Sequence, residues 1–196
     1  MKGKWLVSLL MLMACGPSGQ QRQDGITSPD DSLMLLAEQG DMKAQLRMGM
    51  KMDKAEHFEE AARWYCLAAE QGDARAQNNL GVLYKDGQGV EQDYAEAARW
   101  FAMAAQQGNV LAQSNLGWLY QNGLGVALNF DKALHLYRLA ADKNHAAAQN
   151  NIGTMFLHGM GMPCDTDSAY YWFSLAASQG LPVAQENLKR LQSASE

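Results

Sequence analysis

Basic charge is scarce in this chain of 196 residues, where 16 Lys and Arg stand against 21 Asp and Glu for a net charge of −5. Without a basic surface to neutralise phosphates, RNA- and DNA-binding readings fall away. Long apolar runs are lacking too. The run at residues 5–13 is shorter than a transmembrane helix requires. Cysteine occurs three times, at Cys15, Cys66 and Cys164, with no Cys-x-x-Cys pair. No His-Glu-x-x-His, P-loop or Ser-x-x-Lys motif occurs, which removes the common sequence marks of metalloprotease, nucleotide and serine-acyl chemistry. The four histidines, His57, His135, His145 and His158, share no metal-ligand spacing. The chain therefore reads as a non-enzyme with no cofactor and no metal site.

What is present is repetition. A block of 36 residues recurs in register, with full copies starting at Ala76, Ala112 and Ala148 and a half copy at Ala184. Each opens Ala-Gln and continues through Asn79, Asn115, Asn151 or Asn187 to Leu80, Leu116, Ile152 or Leu188. The full copies add Gly81, Gly117 and Gly153, the aromatics Tyr84, Tyr120 and Phe156, and the pairs Gly87/Gly89, Gly123/Gly125 and Gly159/Gly161. They close with Trp100-Phe101, Leu136-Tyr137 and Trp172-Phe173, followed by paired alanines. Self-similarity at this period marks a solenoid, in which each unit needs its neighbours to bury its apolar face.

Within a copy the apolar spacing is helical. Ala76, Leu80, Leu83 and Tyr84 form one stripe, and Tyr94, Ala97, Ala98, Phe101, Ala104 and Ala105 form another. The Gly-x-Gly segment stops the first helix, and Asp93, Asn129 and Asp165 are placed to cap the second. Gly72, Gly108 and Gly180 stop the second helices, with Asn144 taking that place in the third copy. Gly81 and its equivalents are expected to let the two helices approach closely, with aromatic residues filling the gaps. The pattern predicts ten helices: an opener near 31–39, four pairs, and a closer near 182–192. The opener and closer are expected to shield the ends of the stack. The first pair lacks the Gly-x-Gly loop, and its methionines Met42, Met48, Met50 and Met52 read as a soft core rather than a copper site. Cys66 falls in a second helix and Cys164 in a distant loop, a separation that argues against a bridge between them.

The run from Ala76 to Gly108 is a nearly complete Ala-x-x-x-Leu-Gly-x-x-Tyr-x-x-Gly-x-Gly-Val … Asp-x-x-x-Ala-x-x-Trp-Phe-x-x-Ala-Ala-x-Gln-Gly pattern. It resembles the Sel-1-like repeat family, a branch of the tetratricopeptide-type solenoids, over residues 32–192. The resemblance implies an all-α, right-handed superhelical solenoid of antiparallel helix pairs. It further implies an adaptor that holds a protein or peptide partner on the concave face lined by the first helices. Counting from Leu80 and Gly81, the residues implied to point into that groove are Arg75, Asn78, Val82 and Lys85. In the next copies they are Leu111, Ser114, Trp118 and Gln121, then Ala147, Asn150, Thr154 and Leu157. These differ from copy to copy, as a reading surface or a drifting solvated face would. Trp118 reads either as an aromatic anchor or as packing on a neighbouring helix. The ladder of Asn79, Asn115, Asn151 and Asn187 either bonds neighbouring helices or grips a peptide backbone. Some secreted cysteine-rich relatives have been labelled β-lactamases; they carry paired cysteines within each repeat and this chain does not, which leaves a β-lactamase-like hydrolase as the third reading after the adaptor and its soluble alternative.

The N-terminal stretch is of another kind. Lys2 and Lys4, the short apolar run and Leu12-Met13-Ala14-Cys15 have the anatomy of a secretory signal ending in a sequence that resembles a bacterial lipobox. The expected organisation is a signal over 1–14, a lipidated Cys15 as the mature N-terminus, a polar tether over 15–31, and the solenoid over 32–192. Gly16 after the cysteine resembles outer-membrane sorting. The expected product is an exported protein, lipid-anchored in the bacterial cell envelope at the outer membrane and facing the periplasm. The alternative is a soluble periplasmic or secreted protein acting on a host or envelope partner.

Overall fold

The computed structural model describes residues 28–193. Cys15, the signal and most of the tether lie outside the described residues. Ten helices follow one another, with no strand among the described residues: α1 (Pro29–Glu38), α2 (Met42–Lys54), α3 (Phe58–Glu70), α4 (Ala74–Asp86), α5 (Tyr94–Gln106), α6 (Val110–Asn122), α7 (Phe130–Ala141), α8 (Ala146–His158), α9 (Thr166–Ser178) and α10 (Pro182–Ser193). The chain divides into two units, Met1–Ser32 and Leu33–Glu196. Of the first, only the opening turn of α1 is described. It starts earlier than the tether reading allowed, because Pro29 suits the first helical position and Ser28 Oγ accepts from the Asp31 N–H at 3.1 Å.

In the second unit the helices pair as α2–α3, α4–α5, α6–α7 and α8–α9, and from α2 onward each packs on the next in chain order. One contact recurs in all four pairs. A Cβ added to Gly49, Gly81, Gly117 or Gly153 would lie 2.5, 2.7, 2.9 or 2.7 Å from the ring of Tyr65, Phe101, Tyr137 or Phe173. These rings are at most 1% exposed. The glycine is thus a notch in the first helix that receives the ring of the second, as the small residue at that slot predicted.

The two glycines of each Gly-x-Gly segment do different work. Gly87, Gly123 and Gly159 adopt left-handed φ of 68°, 65° and 63° and cap the first helices. Gly89 and Gly125 are pressed against the preceding pair instead. A Cβ on either would come within 2.2 Å of backbone at Phe58 or Tyr94, the first residue of α3 or α5. The loop therefore joins successive pairs as well as ending a helix. The α2–α3 connection has only Ala55, Glu56 and His57, and Glu56 takes the positive φ of 60° there.

A buried amide ladder joins the helices. Gln45, Gln77 and Gln113 donate from Nε2 to the carbonyls of Ala37, Ala69 and Ala105 at 3.2, 3.1 and 3.4 Å. Gln71, Gln107 and Gln179 in turn donate to the Oε1 of Gln45, Gln77 and Gln149 at 2.6, 2.8 and 2.7 Å. The third copy breaks the pattern. Lys143 stands in that slot and donates to the Gly108 carbonyl at 3.0 Å, and the buried Gln113 Oε1 has no hydrogen-bond partner.

Asp73 and Asn109 cap first helices, His145 does so through Nδ1, and Asp93, Asn129 and Asp165 cap second helices as expected. Asn144 does take the left-handed conformation, with φ 61°. At the start of the stack, Leu33 and Ala37 of α1 pack on Ala44 and Met48, with Met52 and Trp64 alongside. At its end α10 buries Ala184 and carries the exposed Lys189 at the glycine slot, so it offers no notch to another ring. Met42, Met48 and Met52 join the core, whereas Met50 is 50% exposed and leaves the expected soft cluster.

Two outcomes follow from these contacts. Gly123→Ala is expected to cost about 1–2 kcal/mol for its left-handed backbone, while Gly125→Ala adds about 1–3 kcal/mol of overpacking against α5. Urea unfolding of both variants measures the difference. Lys143→Gln is expected to satisfy Gln113 and stabilise the protein by about 1 kcal/mol, read as a rise in melting temperature.

Candidate partner-binding face

The first helices of successive pairs meet through their side chains. Asn115 Nδ2 donates to Asn78 Oδ1 at 3.1 Å and Asn187 Nδ2 to Asn150 Oδ1 at 3.0 Å. Asn79 and Asn151 are hydrogen-bonded to the buried hydroxyls of Tyr65 and Tyr137. The asparagine ladder therefore bonds neighbouring helices. Those hydroxyls also donate to Asp53 Oδ2 at 3.0 Å and Gln121 Oε1 at 2.7 Å. Burial pushes both phenols up, reinforced at Tyr65 by the Asp53 carboxylate.

The expected groove residues separate by their phase on the helix. Arg75, Leu111 and Ala147 are exposed at the helix starts. Val82 and Thr154 are half-buried, and Trp118 is 38% exposed. Lys85, Gln121 and Leu157 are half-buried. Asn78, Ser114 and Asn150 do not point into an open groove, since they are buried where adjacent first helices meet. The reason is angular. At 3.6 residues per turn, Asn78 lies only about 60° around the axis from the packed Gly81, whereas Asn79 lies about 160° away. The more open arc of α4 is Arg75, Asn79, Val82 and Asp86, and that of α6 is Leu111, Asn115, Trp118 and Asn122. Following the helical period onward from Gly81 and Gly117 would have found Asp86 and Asn122.

Trp118 stands out on this face. The Lys85 Nζ of the preceding first helix lies 5.8 Å from its ring centre, and its carbonyl accepts from Asn122 Nδ2 at 2.8 Å. An exposed indole beside a cation can present both an apolar surface and a charge to a ligand. Toward the start of the stack, Met50, Asp53, Lys54, Tyr65 and Asn79 line an open cavity of about 320 Å³.

Neither described cysteine forms a disulfide. Burial and the neighbouring Glu70 push the Cys66 thiol up to about 11, while the exposed Cys164 thiol donates to the Leu157 carbonyl at 3.0 Å. Among the described residues no group of three His, Cys, Asp or Glu side chains is placed to hold a metal ion.

The Sel1 repeat model matches residues 43–73, 74–109, 110–145 and 146–181, the four helix pairs above. A protective antigen of uropathogenic Escherichia coli displaying an SLR fold is 34% identical, with a TM-score of 0.79 over 86% of this chain and 37% of that one. A Sel1 repeat protein from Oxalobacter formigenes is 30% identical, with a TM-score of 0.72 over 84% of this chain and 66% of that one. The cysteine-rich protein B of Helicobacter pylori, 18% identical over 63% of this chain and 97% of its own with a TM-score of 0.51, shares the fold alone. The chain thus spans 37% of the antigen's length and 66% of the Oxalobacter protein's. No curated protein matches it. With four repeats matched in register and solved relatives of the same architecture, the chain belongs to the Sel1 repeat family, whose helical solenoids typically mediate protein–protein interaction.

Proposed function

We propose that the protein is an envelope-anchored adaptor that binds a protein or peptide partner through the concave face formed by its first helices. The observation that carries this reading is Trp118, an indole left 38% exposed on that face while the framework positions around it are filled and repeated. Its counterparts Met50, Val82 and Thr154 carry no ring, so one repeat offers an aromatic anchor that the others lack. Anchors of this kind carry much of the binding energy of an interface. In the anchoring part of the proposal, lipid on Cys15 holds the solenoid at the membrane, with the outer membrane facing the periplasm as its place. The polar stretch that follows gives the solenoid reach from the lipid.

One experiment in cells addresses both parts. A photo-crosslinking residue at Val82 is used to trap the partner, with and without Trp118→Ala, and membranes are then separated from the soluble fraction. Trp118→Ala is expected to weaken capture by about 30-fold, equivalent to about 2 kcal/mol, with the helical circular dichroism and melting temperature nearly unchanged. Cys15→Ser is expected to move the protein out of the membrane fraction and abolish incorporation of labelled palmitate. Unchanged capture by Trp118→Ala contradicts the binding site, and unchanged fractionation and labelling of Cys15→Ser contradict the anchor.

A further inference from the structure

Resting on that reading of the first-helix face, we infer that the partner segment is an extended peptide, acidic where it crosses α2 and α4 and apolar where it reaches α6. The face changes character along the stack. The helix position held by Lys43 in α2 and Arg75 in α4 passes to Leu111 in α6 and Ala147 in α8. One turn further on, Arg47 gives way to Asn79, Asn115 and Asn151. Lys43, Arg47, Lys54 and Arg75 are exposed, and none has an ion-pair partner among the described residues.

The excess of positive charge is local, because the whole chain carries −5. The acids on the same stretch are already engaged: Asp41 and Asp73 cap α2 and α4, Asp53 accepts from the Tyr65 hydroxyl, and Asp86 pairs with Lys85 at 3.3 Å. Lys85 also joins the basic end to the apolar one, since its ammonium lies 5.8 Å from the Trp118 ring centre. A ligand with carboxylates at one end and an apolar side chain at the other complements this order of groups, and such complementarity sets both register and direction.

The spacing follows from geometry. Packed helices lie about 8–10 Å apart, and an extended chain covers about 3.3 Å per residue. One step between first helices thus corresponds to about three residues, which places the acidic side chains about three to six residues from the apolar anchor. A peptide is favoured over a nucleic acid because the acidic remainder of the chain repels a long polyanion, whereas a short acidic segment meets only the basic end.

A random 12-residue peptide library, displayed on phage and selected on the full chain purified in detergent, tests this. The enriched peptides are expected to carry two or more Asp or Glu about three to six residues from a Phe, Trp or Leu. Fluorescence anisotropy with labelled copies of those peptides should show at least tenfold weaker binding to the double variant Arg47→Glu, Arg75→Glu. The milder Arg47→Gln, Arg75→Gln pair should show a smaller loss, with unchanged melting temperatures for both. Enrichment without acidic residues, no enrichment, indifference to both charge variants, or displacement of the peptides by oligothymidine would each overturn the inference. Peptides that ignore the charge variants yet lose affinity with Trp118→Ala would overturn it while leaving the adaptor reading intact.

Discussion

The fold depends on one contact: an aromatic ring from each second helix lying in a glycine notch of the first. Gly81 and Phe101 are typical, with room for no Cβ between them. A single methyl group at that place would force the helices apart or push the ring from its site, in a core too dense to absorb it cheaply. The same notch recurs at Gly49, Gly117 and Gly153, so every pair closes on a ring in the same way. Uniform pairs can then stack with uniform contacts. Gly89 and Gly125 supply such contacts against the backbone of the preceding pair, and Gln77 and Gln113 supply them through the carbonyls of Ala69 and Ala105.

That arrangement leaves part of the first helices free of structural duty. Packing claims the positions on the side of Gly81, and the asparagines near Asn78 are held between neighbouring first helices. What remains is the arc that contains Arg75 and Val82 in α4 and Leu111 and Trp118 in α6. Its residues differ from repeat to repeat while the framework is kept, which makes it the natural place for a solenoid to vary what it binds. Lys85 of one repeat lies beside the Trp118 indole of the next, so neighbouring repeats contribute to one continuous surface there.

Features set by local chemistry were legible from the residues alone. Gly87 and Asn144 stop helices because of their own φ, and Asp93 caps α5 through its own carboxylate. The glycine slot and its ring were also readable, since both recur at one period. Less legible was anything whose reason lies in another repeat. Gly89 looks like a second helix stop until the backbone of α3 is placed against it. The glutamines of each Ala-Gln opening were visible as a recurrence, but their partners, the carbonyls of Ala37, Ala69 and Ala105, are defined only by packing. For the candidate face, counting outward from Leu80 and Gly81 found Arg75, Val82 and Trp118 but also took in Asn78, Ser114 and Asn150. A small error in helical phase exchanges a buried position for an open one.

If the notch sets the spacing of the whole stack, damage to one pair must spread to those beside it. Hydrogen exchange followed by mass spectrometry on the native protein and on Gly117→Ala tests this most directly. Faster exchange is predicted in α6 and α7 and also in the adjoining α5 and α8, because no pair buries its apolar face alone. Exchange that rises only within α6 and α7, or does not rise at all, would contradict the account.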